Sequence, residues 1–140
     1  VKHTDKTWTK EYDLKASFKH CLDKGKLGED LTNRLINGEL KLEVKTDFMC
    51  KDTGNVFIEY KSRGKDSGIK ISTADYWVFV LPYNKTDNPK LDFIPLEKLK
   101  QLIKTKKYKT VRGGDALTSQ GYLMPKEDLS TLNIEEKNET

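Results

Sequence analysis

The run YWVFVLP, Tyr76 to Pro82, is apolar at odd and even positions alike. A strand with one wet face alternates apolar and polar residues. A strand that is apolar on both faces must therefore lie in the middle of a sheet covered above and below.

The cover has to come from helices, and two stretches carry the pattern. Leu27, Leu31 and Leu35 recur at i, i+4 and i+8 within Ser17 to Ile36, ahead of a stop at Asn37-Gly38. Leu96, Leu99, Leu102 and Ile103 mark a second amphipathic helix whose other sides carry lysines. Between them, Leu40, Leu42 and Val44 alternate with Lys41, Glu43 and Lys45, and Val56, Ile58 and Tyr60 alternate with Phe57, Glu59 and Lys61. With the turn-forming Asp52 to Asn55 between them, these read as an antiparallel hairpin. Ser72 is placed to cap a short helical turn with Asp75 at the third position. LDFIP is a further strand. VRGGDALTSQG reads as a Gly-rich loop, followed by a short strand at Tyr122 to Met124 and a helical turn at Glu127 to Leu129. The order predicts an α/β fold, a mixed central β-sheet flanked by helices.

The 140 residues fit one domain, 1–140. Segment 1–16 has no placeable pattern, and the acidic tail 133–140 is expected to be flexible. No apolar run nears the roughly 20 residues of a membrane span, and no signal-peptide centre is present, so a soluble, cytoplasmic protein is expected. Cys21 and Cys50 lack the CxxC spacing of a zinc site and suggest no disulfide framework. The net charge of +4 is unevenly laid out: Lys98 to Arg112 holds seven cations and no acid. Such a face suits a polyanion.

Four residues then stand out: Glu29 in the first helix, preceded by Gly28, Asp47 at the end of one strand, and Glu59 and Lys61 two apart in the next. With Asp47 as the lone upstream acid and Glu59-Tyr60-Lys61 as a Glu-x-Lys pair, this resembles the PD-(D/E)XK nuclease superfamily. The order of elements from about Ser17 to Ile103 is similar to that family's core. Lys45-Thr46 stand where the family name has proline, and no Gln-x-x-x-Tyr element follows Lys61. The resemblance implies a restriction endonuclease-like fold with an αβββαβ core and a Mg²⁺-dependent DNA endonuclease, structure-specific or weakly sequence-specific. Asp47, Glu59 and Glu29 would be its metal ligands, and Mn²⁺ would substitute. No organic cofactor is implied, and cutting both strands would call for a homodimer.

The chemistry suits those residue types. A divalent cation held by carboxylates activates water and neutralises charge on phosphate. Lys61, at i+2 from Glu59, would share its face and hold the attacking water or a phosphate oxygen. Two acids in one site also imply that, without metal, at least one of Asp47 and Glu59 titrates above its usual value. Arg63, Lys65, Lys70, Lys104, Lys106, Lys107, Lys109 and Arg112 are the expected nucleic-acid contacts. The alternative is a non-catalytic nucleic-acid-binding domain on the same fold. On the plainest reading, Glu59 and Lys61 pair with Glu43 and Lys45 on a solvated hairpin face.

Overall fold

The computed structural model describes residues 29–47, 50–81 and 90–134. In chain order these form α1 (Glu29–Ile36), β1 (Leu42–Thr46), α2 (Cys50–Thr53), β2 (Asn55–Ser62) and β3 (Lys65–Asp66). A 3-10 turn (Gly68–Lys70), β4 (Tyr76–Leu81), β5 (Lys90–Pro95), α3 (Leu96–Lys106) and β6 (Thr110–Gly113) follow. A second 3-10 turn (Asp115–Leu117), β7 (Ser119–Pro125) and α4 (Lys126–Ser130) complete the series. Among the described residues, no helix is long and apolar enough to cross a membrane.

The strands make two sheets. The first has the order β1-β4-β5, with β1 parallel to β4 and β5 antiparallel to it. The second, β3-β2-β7-β6, is antiparallel throughout. β4 is the central strand of its sheet, and its two parities enter two cores. Trp77, Phe79 and Leu81 join Val56 and Ile58 of β2, Met124 of β7, and Leu96, Leu99 and Ile103 of α3. Val78 and Val80 meet Leu91 and Phe93 of β5, under Leu31 and Leu35 of α1. Burying one such side chain fully is worth about 1.5–3 kcal/mol, so the first core is what clamps the two sheets together.

The protein is thus α/β, with the buried strand and the α1 and α3 stripes where the sequence puts them. The expected single central sheet and the β1–β2 hairpin are replaced. Where a tight turn was expected, Cys50 to Thr53 form a helical turn closed by Gly54, whose N–H donates to the Cys50 carbonyl at 2.8 Å. That detour releases β2 to pair with β7, Val56 opposite Met124 and Glu59 opposite Gly121. The basic loop after β2 is also more regular than expected. Arg63 and Gly64, with φ of 50° and 80°, form a two-residue hairpin turn into β3. A turn with positive φ at both central positions matches the twist of its strands. β6 occupies part of the stretch read as a loop.

At the other end of the chain, Asn133 is buried. Its Oδ1 accepts from the Phe93 N–H and its Nδ2 donates to Asp92, each at 3.0 Å. Ile134 packs on the second core. Asn133 and Ile134, placed by the sequence in a flexible tail, are thus fastened to the fold. Segment 1–16, the helix start from Ser17 and residues 135–140 lie outside the described residues.

Candidate active site

Although β1 and β2 belong to different sheets, they run past one another. The Asp47 Oδ2 accepts from the Phe57 N–H at 3.0 Å, and the Asp47 N–H reaches the Val80 carbonyl at 3.4 Å, extending the β1–β4 ladder by one residue. Two residues back along β1 and two forward along β2, Lys45 lies close enough to Glu59 for its charge to act on that carboxylate. A cleft of about 400 Å³ lies between the two strands, lined by Glu43 and Lys45 of β1, Glu59 of β2, and Ser67, Gly68 and Ser72 among others.

The far wall is the segment from Ser67 to Thr73, and its seat on β2 depends on a glycine. Gly68 has φ +52°, and a Cβ there would lie 2.1 Å from the Glu59 carbonyl oxygen. With no side chain at 68, the segment closes onto β2, and the Ser67 hydroxyl donates to the Glu59 carboxylate.

The cleft holds its acids as anions. Glu59 is drawn below the usual glutamate range, first by the Ser67 hydroxyl, against the opposing effect of burial, and further by Ser119 and the Lys45 charge. At Glu43 burial pushes upward, yet hydrogen bonds from Lys45 and Ser72 and the Lys45 charge outweigh it, and its carboxyl also titrates low. Lys45 Nζ is 2.7 Å from Glu43 and 4.6 Å from the centre of the Trp77 ring. The Ser72 hydroxyl donates to Glu43 at 2.8 Å and accepts from the Trp77 indole N–H at 3.0 Å. Ser72 thus relays between a core tryptophan and the cleft, instead of capping a helix. At the rim, Lys41 Nζ donates to the Thr73 hydroxyl at 2.6 Å.

Of the residues singled out in the sequence, Glu59 lines the cleft, while Asp47 and Lys61 do not. Asp47 fastens β2 through Phe57. Lys61 is separated from the face of Glu59 by a β-bulge: Glu59 is opposite Gly121 and Lys61 opposite Gln120, leaving Tyr60 as the extra residue. The i, i+2 rule that put Lys61 beside Glu59 holds only for an unbroken strand. Glu29 is the first residue of α1, and its side chain lies outside the described set. The rise expected at Glu59 is not found, because the Ser67 and Ser119 hydroxyls and the Lys45 charge together outweigh burial and draw its carboxyl down.

Glu43 and Lys45, which the sequence offers only as exposed partners of Glu59 and Lys61, line the cleft. The available signal was Glu43-Val44-Lys45, itself a Glu-x-Lys, on the strand that leads to Asp47.

The basic residues divide. Arg63, Lys65, Lys109 and Arg112 are exposed on the second sheet and its approaches. Lys106 pairs with Asp128 at 3.7 Å. Lys70, Lys104 and Lys107 line a separate groove, together with Lys100, Tyr108 and Tyr122.

Among the described residues, no group of three or more His, Cys, Asp or Glu side chains converges as a metal site. Mg²⁺ is ordinarily held through only one or two carboxylates, with water and phosphate in the remaining positions. Glu43 and Glu59 supply that number in one open cleft and are both kept anionic, so the donor set fits a hydrated divalent cation. Cys50 is no competitor: it is buried, and burial pushes its thiol up. Compared with known proteins, the chain matches no family model, no curated protein and no solved structure.

Proposed function

We propose that the protein is a Mg²⁺-dependent DNA endonuclease acting at the cleft between β1 and β2. The observation that carries this reading is that two glutamates, Glu43 and Glu59, line one open cleft together with Lys45, whose ammonium is held on Glu43. It shifts the expected Glu-x-Lys pair from Glu59 and Lys61 to Glu43 and Lys45. Glu43 and Glu59 would hold the ion, with Mn²⁺ able to substitute, and Asp47 aligns β2 alongside. When bound, the ion would lower the pKa of a water and neutralise charge on the scissile phosphate.

The chain's own residues supply the rest. Lys45 places a positive charge where charge grows on the phosphate oxygens in the transition state. Ser72 and Ser67 fix the two glutamates in position. A structure-specific or weakly sequence-specific substrate remains the preferred class, because the cationic surface offers phosphate contacts, which position without reading sequence.

A direct test uses a labelled panel of supercoiled plasmid, linear duplex, single strand, flap and four-way junction with Mg²⁺, Mn²⁺ or EDTA. The expected result is cutting that requires the metal and is lost in Glu59→Gln. Absence of cutting with either metal on every substrate would overturn the reading. One observation favours a second reading, a non-catalytic nucleic-acid-binding domain: the lysine-lined groove is complete without the cleft. Salt-dependent DNA retention without cleavage would select it.

A further inference from the structure

The groove holds more than cations. It has a volume of about 570 Å³, within the range of small-ligand pockets. Lys100, Ile103, Lys104 and Lys107 line it from one side, at the i, i+3, i+4, i+7 spacing that puts residues on one face of a helix. Opposite them stand Ile69 and Lys70 of the first 3-10 turn, and the tyrosines Tyr108 and Tyr122 complete the lining.

Both tyrosines are held in place. The Tyr108 hydroxyl donates to Asp128 at 2.5 Å, and burial together with that bond pushes its phenol well up. Tyr122 packs on Tyr60 with ring centres 4.7 Å apart. The surface is therefore an apolar, aromatic concavity edged by ammonium groups. The edge runs from Lys100 to Lys104, about 6 Å along the helix, and on to Lys107 just past its end, a length suited to successive phosphates.

We infer that this groove binds an unpaired nucleotide of a single-stranded nucleic acid, its base against Tyr108 and Tyr122 and its phosphates on Lys70, Lys100, Lys104 and Lys107. A duplex would use only the rim, since its bases are stacked inside, whereas a single strand offers base faces and phosphates together. The groove also shares a wall with the cleft. Gly68 and Ile71 line the cleft while Ile69 and Lys70 line the groove. A strand seated in the groove therefore lies against the same segment, Gly68 to Ile71, that walls the cleft. This deepens the nuclease proposal, and rests on it only for what happens to a phosphodiester in the cleft; the groove itself is tested by binding.

The experiment measures fluorescence anisotropy of the full chain in EDTA with three labelled probes: a thymidine 12-mer, an abasic 12-mer and a blunt 12-base-pair duplex. The thymidine strand should bind about tenfold more tightly than the abasic strand and more tightly than the duplex. Lys70→Ala with Lys104→Ala, both exposed positions, should remove most of that binding, while Lys98→Ala, outside the groove, should leave it unchanged. A 5-iododeoxyuridine strand should photocrosslink to Tyr108 or Tyr122. Equal affinity for the thymidine and abasic strands, preference for the duplex, or crosslinks confined to other residues would each overturn the inference. If the binding results hold while no substrate is cut, the groove stands and the nuclease reading falls. If Glu59-dependent cutting is seen with equal thymidine and abasic affinities, the nuclease reading stands and the groove falls.

Discussion

The Ser67 hydroxyl donates to the Glu59 carboxylate, tying the wall of the cleft to its floor across a sharp reversal of the chain. This bond is the largest influence holding Glu59 low. Ser67→Ala should therefore raise the Glu59 pKa, read by carbon-detected NMR titration of the side chain, and cost about 1 kcal/mol in urea unfolding.

Acid should loosen the cleft. Glu43 and Glu59 both titrate below the ordinary value of 4.5. Carboxyls lowered on folding contribute stability above their unfolded pKa and lose it as pH falls through the folded one. The melting temperature should thus be insensitive to these groups near neutrality and fall from about pH 4.5 downward. Glu43→Gln with Glu59→Gln should flatten that limb, as melting curves from pH 7 to pH 3 would reveal.

The two Glu-x-Lys pairs make opposite predictions for catalysis. If the cleft is the active site, Lys45→Ala should lower the cleavage rate by at least about 10²-fold, and Lys61→Ala should change it less than about threefold. The reverse ranking in single-turnover assays would return the site to the pair first read from the sequence.

Two glycines with positive φ offer a matched comparison. Gly64→Ala meets open space and should cost only the left-handed penalty, about 1–2 kcal/mol. Gly68→Ala adds a clash with the Glu59 backbone and should cost about 2–4 kcal/mol, with Glu59 displaced. Denaturant midpoints of the two variants give the difference.

Asn133→Ala should destabilise by about 2–3 kcal/mol, because it leaves the buried Asp92 and the Phe93 N–H each short of a partner. Chemical denaturation, with the Glu59 titration followed by NMR as control, separates this fold effect from the cleft.

What the sequence revealed was whatever depends on burial of local patterns. The double-sided apolarity of Tyr76 to Leu81, the Leu31 and Leu35 stripe and the α3 stripe each mark a core contact directly. Pairing between distant strands leaves no such mark: nothing local tells that β2 meets β7 instead of β1. The bulge at Tyr60 is likewise a product of that pairing, and it turns Lys61 away from the face of Glu59. Glu43 and Lys45 were read as solvated pairs because a hairpin face in water and a cleft between two sheets carry the same alternation. Arg112 lies on a strand, β6, whose partly exposed residues gave no core pattern to read.

The pairing of β2 with β7 also sets an order in time. Glu59 takes its register from Gly121, and β1 takes its own from β4, so both strands that carry the charged side chains of the cleft are fixed by segments synthesised after them. During translation, Glu43, Lys45 and Glu59 emerge long before the strands that hold them. Contacts of such long sequence separation form slowly. The chain should therefore acquire its cleft in a late, cooperative step, after β7 has joined the sheet.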